Sequence, residues 1–354
     1  MLTHPQETAL GGVEEVTLEL TPDEAERFRE LVTEMAHSLP HPGPASLDAA
    51  ELLAEIEVAA RWLPPRMARA LSHFRRTGNP HGTLIVRNVP LDGTLPPTPT
   101  DGVAPDWSLL PLATLAQLAA VSWLGDVIAY ADEKGGRLVQ DIIPVRGAES
   151  RQENSGSVML EMHTEDGFHP FKPDFLTLLC LRADRERRAR TTSGAISRAL
   201  PRLSAECVSV LREPLFKIRH SSSFGHTGDA GAVSPPLPVL SGPDTAPELV
   251  ADFHAMEPLD EAAARAFGEL HDAMCAVLVG TVLEAGDLIV IDNRAAVHGR
   301  TGFTPRYDGH DRWLRRCFAV ADLRRSRGVR AAGSQVCVPL RPTGPPWPGH
   351  WRNA

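Results

Sequence analysis

Ser157-Val158-Met159-Leu160-Glu161-Met162-His163-Thr164-Glu165 reads as a strand that ends on two side chains able to ligate a metal. In a strand, residues i and i+2 share a face, so the His163 imidazole and the Glu165 carboxylate can converge on one point while Thr164 faces away. An isolated H-x-E triplet is common and is more simply a surface or hydrogen-bonded pair. Here its surroundings matter. Strand signals recur over residues 137–145, 157–163, 174–182, 216–220, 286–293 and 315–323, with helical stretches at 203–213 and 260–278. The regular strand and helix alternation of a parallel α/β protein is met only in part, so the expected fold is α+β, with a mostly antiparallel core wrapped by helices.

Working outward, Thr21-Pro22-Asp23-Glu24 carries a Thr cap, a Pro at the first helical position and a Glu three residues after the cap. That pattern satisfies two backbone N–H groups reciprocally and predicts a helix to about Ala36. A second helical stretch, 47–74, is interrupted by Pro64-Pro65. Residues 82–89 are β-branched and strand-like, and the proline-rich 95–100 segment is a loop. The apolar stretch 109–130 contains Pro111, Gln117, Gly125 and Asp126, and is read as a buried helix rather than a membrane span. The expected organisation is a single domain over 1–354. It comprises a helical N-terminal region (1–80), a core (82–323) with a helical insertion near 260–278, and a tail (324–354).

The chain has 354 residues, 42% of them hydrophobic and 23% charged, a balance that excludes global disorder. Its net charge of −9 argues against a nucleic-acid partner, which needs a basic face. Five cysteines, an odd number without a C-x-x-C pair, argue against a disulfide scaffold and a structural zinc site. The N-terminus lacks a basic segment followed by an apolar one, so a cytoplasmic location with no membrane partner is expected.

A third potential ligand, His298, follows the apolar run Asp287-Leu288-Ile289-Val290-Ile291-Asp292-Asn293 and lies 135 residues beyond His163. Two histidines and one carboxylate from separate strands form the facial triad that leaves positions open on iron(II). Arg312 lies 14 residues past His298, a hairpin's length, which can return a guanidinium beside the metal to clamp a carboxylate. Arg316 has the same face parity as Arg312, and Arg315 the opposite one. Without the triad, this cluster would read as a basic solvent face.

Taken together, Ser155-Gly156-Ser157, Leu160 to Asp166 and Lys172-Pro173-Asp174-Phe175 resemble the iron(II)/2-oxoglutarate-dependent oxygenases of the clavaminate synthase-like group. So do Asp292-Asn293-Arg294-Ala295-Ala296-Val297-His298-Gly299-Arg300, Phe303-Thr304-Pro305-Arg306-Tyr307-Asp308-Gly309 and Asp311-Arg312-Trp313-Leu314. That group includes β-hydroxylases of free arginine, asparagine and lysine. The resemblance implies a double-stranded β-helix (jelly-roll) core. It implies iron(II) on His163, Glu165 and His298, and 2-oxoglutarate held at its distal carboxylate by Arg312 and Thr191, with Thr192 as an adjacent possibility. O2 completes the set. Arg316 matches the arginine that holds the substrate's α-carboxylate, and Asp252 an acidic residue against its side chain or lid. Asp132 and Glu133 fall where relatives place a polar residue near the substrate amine. Val250 stands where arginine hydroxylases carry a second acid.

The expected activity is hydroxylation of a free L-amino acid at Cβ or Cγ, with release of succinate and CO2 and with lysine favoured over citrulline or arginine. Oxidative desaturation or cyclisation at the same site is an alternative, as is a catalytically silent small-molecule binding protein. The Gly- and Ser-rich 221–231 segment resembles a lid, a plain surface loop being the alternative. His169 and His310 are read as loop or supporting residues, and Cys180 and Cys317 as core fillers.

Overall fold

The computed structural model describes residues 10–39, 47–103, 106–153, 155–221, 224 and 232–340. In chain order the strands are β1 Thr17–Glu19, β2 Thr83–Arg87, β3 Asp126–Tyr130, β4 Val139–Ile142, β5 Leu160–His163, β6 Phe175–Arg182, β7 Arg190–Ala195 and β8 Phe216–Ile218. They continue as β9 Leu240–Ser241, β10 Glu248–Leu249, β11 Met256–Pro258, β12 Val279–Val282, β13 Leu288–Asp292, β14 Ala296–Arg300, β15 Trp313–Val320 and β16 Val336–Cys337. The helices are α1 Pro22–Ser38, α2 Ala50–Ala59, α3 Pro65–Thr77, α4 Pro111–Val121, α5 Ile196–Ala199, α6 Ala205–Leu211 and α7 Glu261–Cys275.

Two sheets organise the chain. The larger runs β1-β2-β13-β6-β15-β3-β16, with β4 also paired to β15, and is antiparallel except at its edges, where β1 joins β2 and β16 joins β3 in parallel. The smaller is antiparallel, in the order β12-β7-β14-β5.

Period-2 alternation makes the larger sheet a partition between two cores. In β13, Leu288 and Val290 pack with Phe28, Val32, Leu71 and Leu118 of the N-terminal helices, whereas Ile289 and Ile291 join Val297 of the smaller sheet and Leu270 and Met274 of α7. Helix α1 begins with the expected capping box on Thr21 and Glu24 and buries Phe28, Val32 and Met35 on one stripe. Asp260 caps α7, which buries Ala263, Phe267, Leu270 and Met274.

The apolar stretch 109–130 departs from expectation. Helix α4 stops at Val121, and the chain turns through Gly125 into β3. A side chain at Gly125 would bring Cβ within 2.2 Å of the Val320 carbonyl oxygen, so the close approach of β15 fixes the turn there. Helix and strand are both buried, which removes the polar face that would have distinguished them. Strands β7, β12 and β14 are additional to those anticipated, and β15 begins at Trp313 and ends at Val320, with Leu323 in a short 3-10 turn. Among the described residues no helix is long and apolar enough to cross a membrane. Residues 222–223 and 225–231 of the lid-like segment and residues 341–354 of the tail lie outside the described residues.

Candidate metal centre

The three potential ligands meet between the sheets. His163 closes β5 and stands in register with His298 of β14, their rings 4.3 Å apart between centroids. Glu165, two residues past β5, brings Oε2 to 3.3 Å from His298 Nε2 and 4.0 Å from His163 Nε2. One donor atom from each of the three lies within 4.8 Å of the others. Donors sharing one ion at bond lengths near 2.1 Å and right angles would stand about 3 Å apart, so the spacing fits a metal ion.

Tautomer and charge favour the same reading. His163 Nδ1 donates to the Glu161 carbonyl at 2.9 Å, which leaves Nε2 its lone pair. Burial, followed by the neighbouring His163, pushes His298 down to about 4, so at neutral pH its imidazole is uncharged, the form a metal requires. Burial would raise the Glu165 carboxyl, but Arg316 and then His298 outweigh it and hold the group well below the usual carboxylate range.

Asn293, buried at the end of β13, locks the position of Glu165. Its side-chain oxygen accepts from the Glu165 backbone N–H at 2.7 Å, while its amide donates to the Glu165 carbonyl at 3.0 Å and the Pro173 carbonyl at 2.8 Å. The Lys172 ammonium in turn donates to the Asn293 carbonyl at 2.9 Å. No role for Asn293 is evident from the sequence. Its only signal is a polar side chain that breaks off an apolar strand just before the segment carrying His298.

Arg316 reaches the centre from β15. Its guanidinium donates to Glu165 Oε1 at 2.6 Å, to Gln140 Oε1 from Nε at 3.0 Å, and to Glu133. Arg315 turns to the opposite face, onto Asp141 and Thr114. The parity assigned to these two residues therefore holds, and a solvent-facing basic strand is excluded because both are buried. Beside Arg316, burial raises the Glu133 and Asp166 carboxyls; Glu165 raises both further, and Arg316 opposes the rise.

A cleft of about 760 Å³ opens over His163 and Glu165 and is lined also by Glu133, Asp166, His220 and Asp252. Asp252 pairs with His163 through an isolated β-bridge, and its carboxylate accepts the backbone N–H groups of His254 and Ala255. Asp132 points elsewhere and accepts the Leu340 backbone N–H at 2.7 Å. Of the two residues set near the substrate amine, only Glu133 lines the cleft. Deeper, buried Arg312 reaches the Thr191 hydroxyl at 3.4 Å, while Thr192 alternates to the other face of β7. His169 is buried against Tyr130, away from the triad, and Cys180 and Cys317 are buried in the core, as expected.

The geometry has counterparts among known proteins. The profile of the taurine catabolism dioxygenase TauD, TfdA family matches residues 239–318. An L-asparagine oxygenase of Streptomyces coelicolor is 43% identical over 87% of this chain and 91% of that one. An L-lysine 3-hydroxylase of Catenulispora acidiphila is 36% identical over 90% and 88%, and clavaminate synthase 2 of Streptomyces clavuligerus 34% over 89% and 97%. A crystal structure of asparagine oxygenase with Fe(II), 2S,3S-3-hydroxyasparagine and succinate superposes with a TM-score of 0.85 at 39% identity, covering 91% of this chain and 99% of that one. The iron oxygenase OrfP with Fe and alpha-ketoglutaric acid gives 0.79 at 33% identity over the same shares.

Proposed function

This chain belongs to the clavaminate synthase-like iron(II)/2-oxoglutarate-dependent oxygenases, and on that premise we propose that it hydroxylates a free L-amino acid at Cβ, with asparagine the first substrate to test and lysine the second. As a member of the family it is a 2-oxoglutarate-dependent dioxygenase that uses iron(II), 2-oxoglutarate and O2. The observation that carries the site assignment is the convergence of His163, Glu165 and His298, the first two of which line the cleft. Lysine stood first on the sequence. The higher identity to an asparagine oxygenase supports asparagine ahead of it, and the 3-hydroxylated amino acids bound in the solved relatives support Cβ. The two sheets, antiparallel except at the edges of the larger, support the double-stranded β-helix reading on a single domain, with 82–323 as core, 1–80 as a mainly helical flank that adds β1, and 324–354 contributing β16 at the other edge.

Iron(II) with 2-oxoglutarate and O2 supplies the oxidation: one oxygen atom enters the succinate formed as CO2 leaves, and the other converts the substrate C–H to C–OH. The protein's part is placement. His163, Glu165 and His298 would hold the ion, beside the cleft that His163 and Glu165 line. Arg312 and Thr191 anchor the distal carboxylate of 2-oxoglutarate. Arg316 receives the amino acid's α-carboxylate in exchange for its contact with Glu133, which then takes the ammonium, and Asp252 stands at the cleft wall for the side chain. Two fixed ends leave the carbons between them in reach of the centre, which makes regioselectivity a matter of distance.

The test is a mass-spectrometric screen of the twenty amino acids and citrulline, with iron(II), 2-oxoglutarate and O2. A gain of one oxygen matched by succinate is expected. Succinate with a loss of two hydrogens would instead select desaturation or cyclisation. No succinate and no bound iron would select the silent binding protein.

A further inference from the structure

Among the described residues four arginines are buried, and they divide into two kinds. Arg315 has the Asp141 carboxylate at 3.3 Å, and Arg316 has Glu133 and Glu165. Arg300 and Arg312 are as deeply buried, at 5% and 6% exposure, yet among the described residues neither has a carboxylate within ion-pair distance. A charge left buried and unpaired is strongly unfavourable, so two placed together form a natural receptor for an anion.

The two share a neighbour. Arg312 Nη2 points to the Thr191 hydroxyl at 3.4 Å, and Thr191 stands directly opposite Arg300 in the β7–β14 ladder, so both project from one face. Arg300 follows His298 by two residues on β14 and shares its face as well. Two residues along a strand advance about 7 Å, the scale of a five-carbon dicarboxylate chelating an ion at one end. The Arg300 guanidinium lies over the Phe303 ring at 4.9 Å and donates from Nη2 to the Val158 carbonyl at 2.7 Å, while its buried Nε has no partner among the described residues.

We propose that Arg300 supplies a second guanidinium to the distal carboxylate of 2-oxoglutarate, beside Arg312 and Thr191. A carboxylate offers about four lone pairs, so it can accept the Arg312 fork, the Thr191 hydroxyl and the free Arg300 Nε together. The inference rests on the reading that Arg312 and Thr191 receive that carboxylate.

The test compares full-length wild type, Arg300→Met, Arg300→Lys and Arg312→Met. Calorimetry reads 2-oxoglutarate binding to the anaerobic iron(II) protein and glutarate binding to the metal-free protein; amino-acid affinity and the anion-free melting temperature are read alongside. Arg300→Met should weaken both dicarboxylates about tenfold or more, leave amino-acid affinity within about twofold, and not lower the anion-free melting temperature. A purely structural Arg300 gives the reverse: a lower melting temperature with dicarboxylate affinity within about twofold of wild type, which overturns the proposal. Should Arg300→Met not fold, Arg300→Lys decides, because it keeps the charge without the fork: weaker dicarboxylate binding supports the proposal and unchanged binding overturns it. If Arg312→Met also leaves dicarboxylate binding intact, the underlying anchor assignment fails; if only Arg312→Met weakens it, Arg300 alone is excluded.

Discussion

Glu165 divides its two carboxylate oxygens between two tasks: Oε1 accepts from Arg316 at 2.6 Å, and Oε2 faces His298 Nε2 at 3.3 Å. The residue proposed to hold the metal thus also orients the residue proposed to hold the substrate. Breaking this buried pair from one side leaves the other charge uncompensated.

Arg316→Met should therefore act on the amino acid and on stability together. The KM for the amino acid is expected to rise about a hundredfold, with a stability loss of about 3–5 kcal/mol, while the 2-oxoglutarate requirement changes much less. Steady-state succinate formation and urea unfolding check this, and an unchanged amino-acid KM would reassign the substrate anchor.

Glu133→Gln removes a carboxylate that meets Arg316 and whose Oε2 has no partner among the described residues. A higher KM for the amino acid is expected, with the 2-oxoglutarate dissociation constant within about twofold of wild type. Equal loss for both would mean that Glu133 serves only to hold Arg316.

Asn293→Ala strips Glu165 of both backbone partners and leaves a buried N–H unsatisfied, at about 1–3 kcal/mol. Iron affinity should fall about 10- to 100-fold although no ligand is altered. Metal titration alongside urea unfolding separates the two effects, and unaltered iron affinity would leave Asn293 a role in the fold alone.

His169 sets an acid limit. Its Nδ1 accepts the Phe171 backbone N–H at 3.0 Å, and burial followed by His220 pushes it down to about 3. The folded pKa lies below the unfolded value near 6.5, so the unfolded chain binds the extra proton as pH falls from 6.5 toward 3. Stability drops across that window by up to about 1.4 kcal/mol per pH unit. His169→Asn, which keeps an acceptor without the titration, should lose less stability between pH 7.5 and pH 5. An equal loss would place the titration elsewhere.

Much of this site can be read in one dimension because strand parity is a local rule. His163 could be paired with Glu165 from i+2 spacing and Arg316 set against Arg315 from strand alternation, while the roles of the triad and of Arg312 came from the resemblance of the surrounding motifs. Asn293 and Arg300 were not legible. Asn293 acts on a backbone 128 residues away, and Arg300 stands out only when the absence of any acid around it can be seen. The stretch 109–130 misled for another reason: a fully buried helix and a fully buried strand are both simply apolar, and only the approach of Val320 to Gly125 separates them.

The central claim is that His163, Glu165 and His298 share one iron. Anaerobic iron(II) titration of the purified protein and of its His163→Ala, Glu165→Ala and His298→Ala variants tests it without reference to any substrate. Saturation at one iron per chain in the wild type is predicted, lost in each variant while circular dichroism stays native. Variants that still bind one iron with wild-type affinity would contradict it.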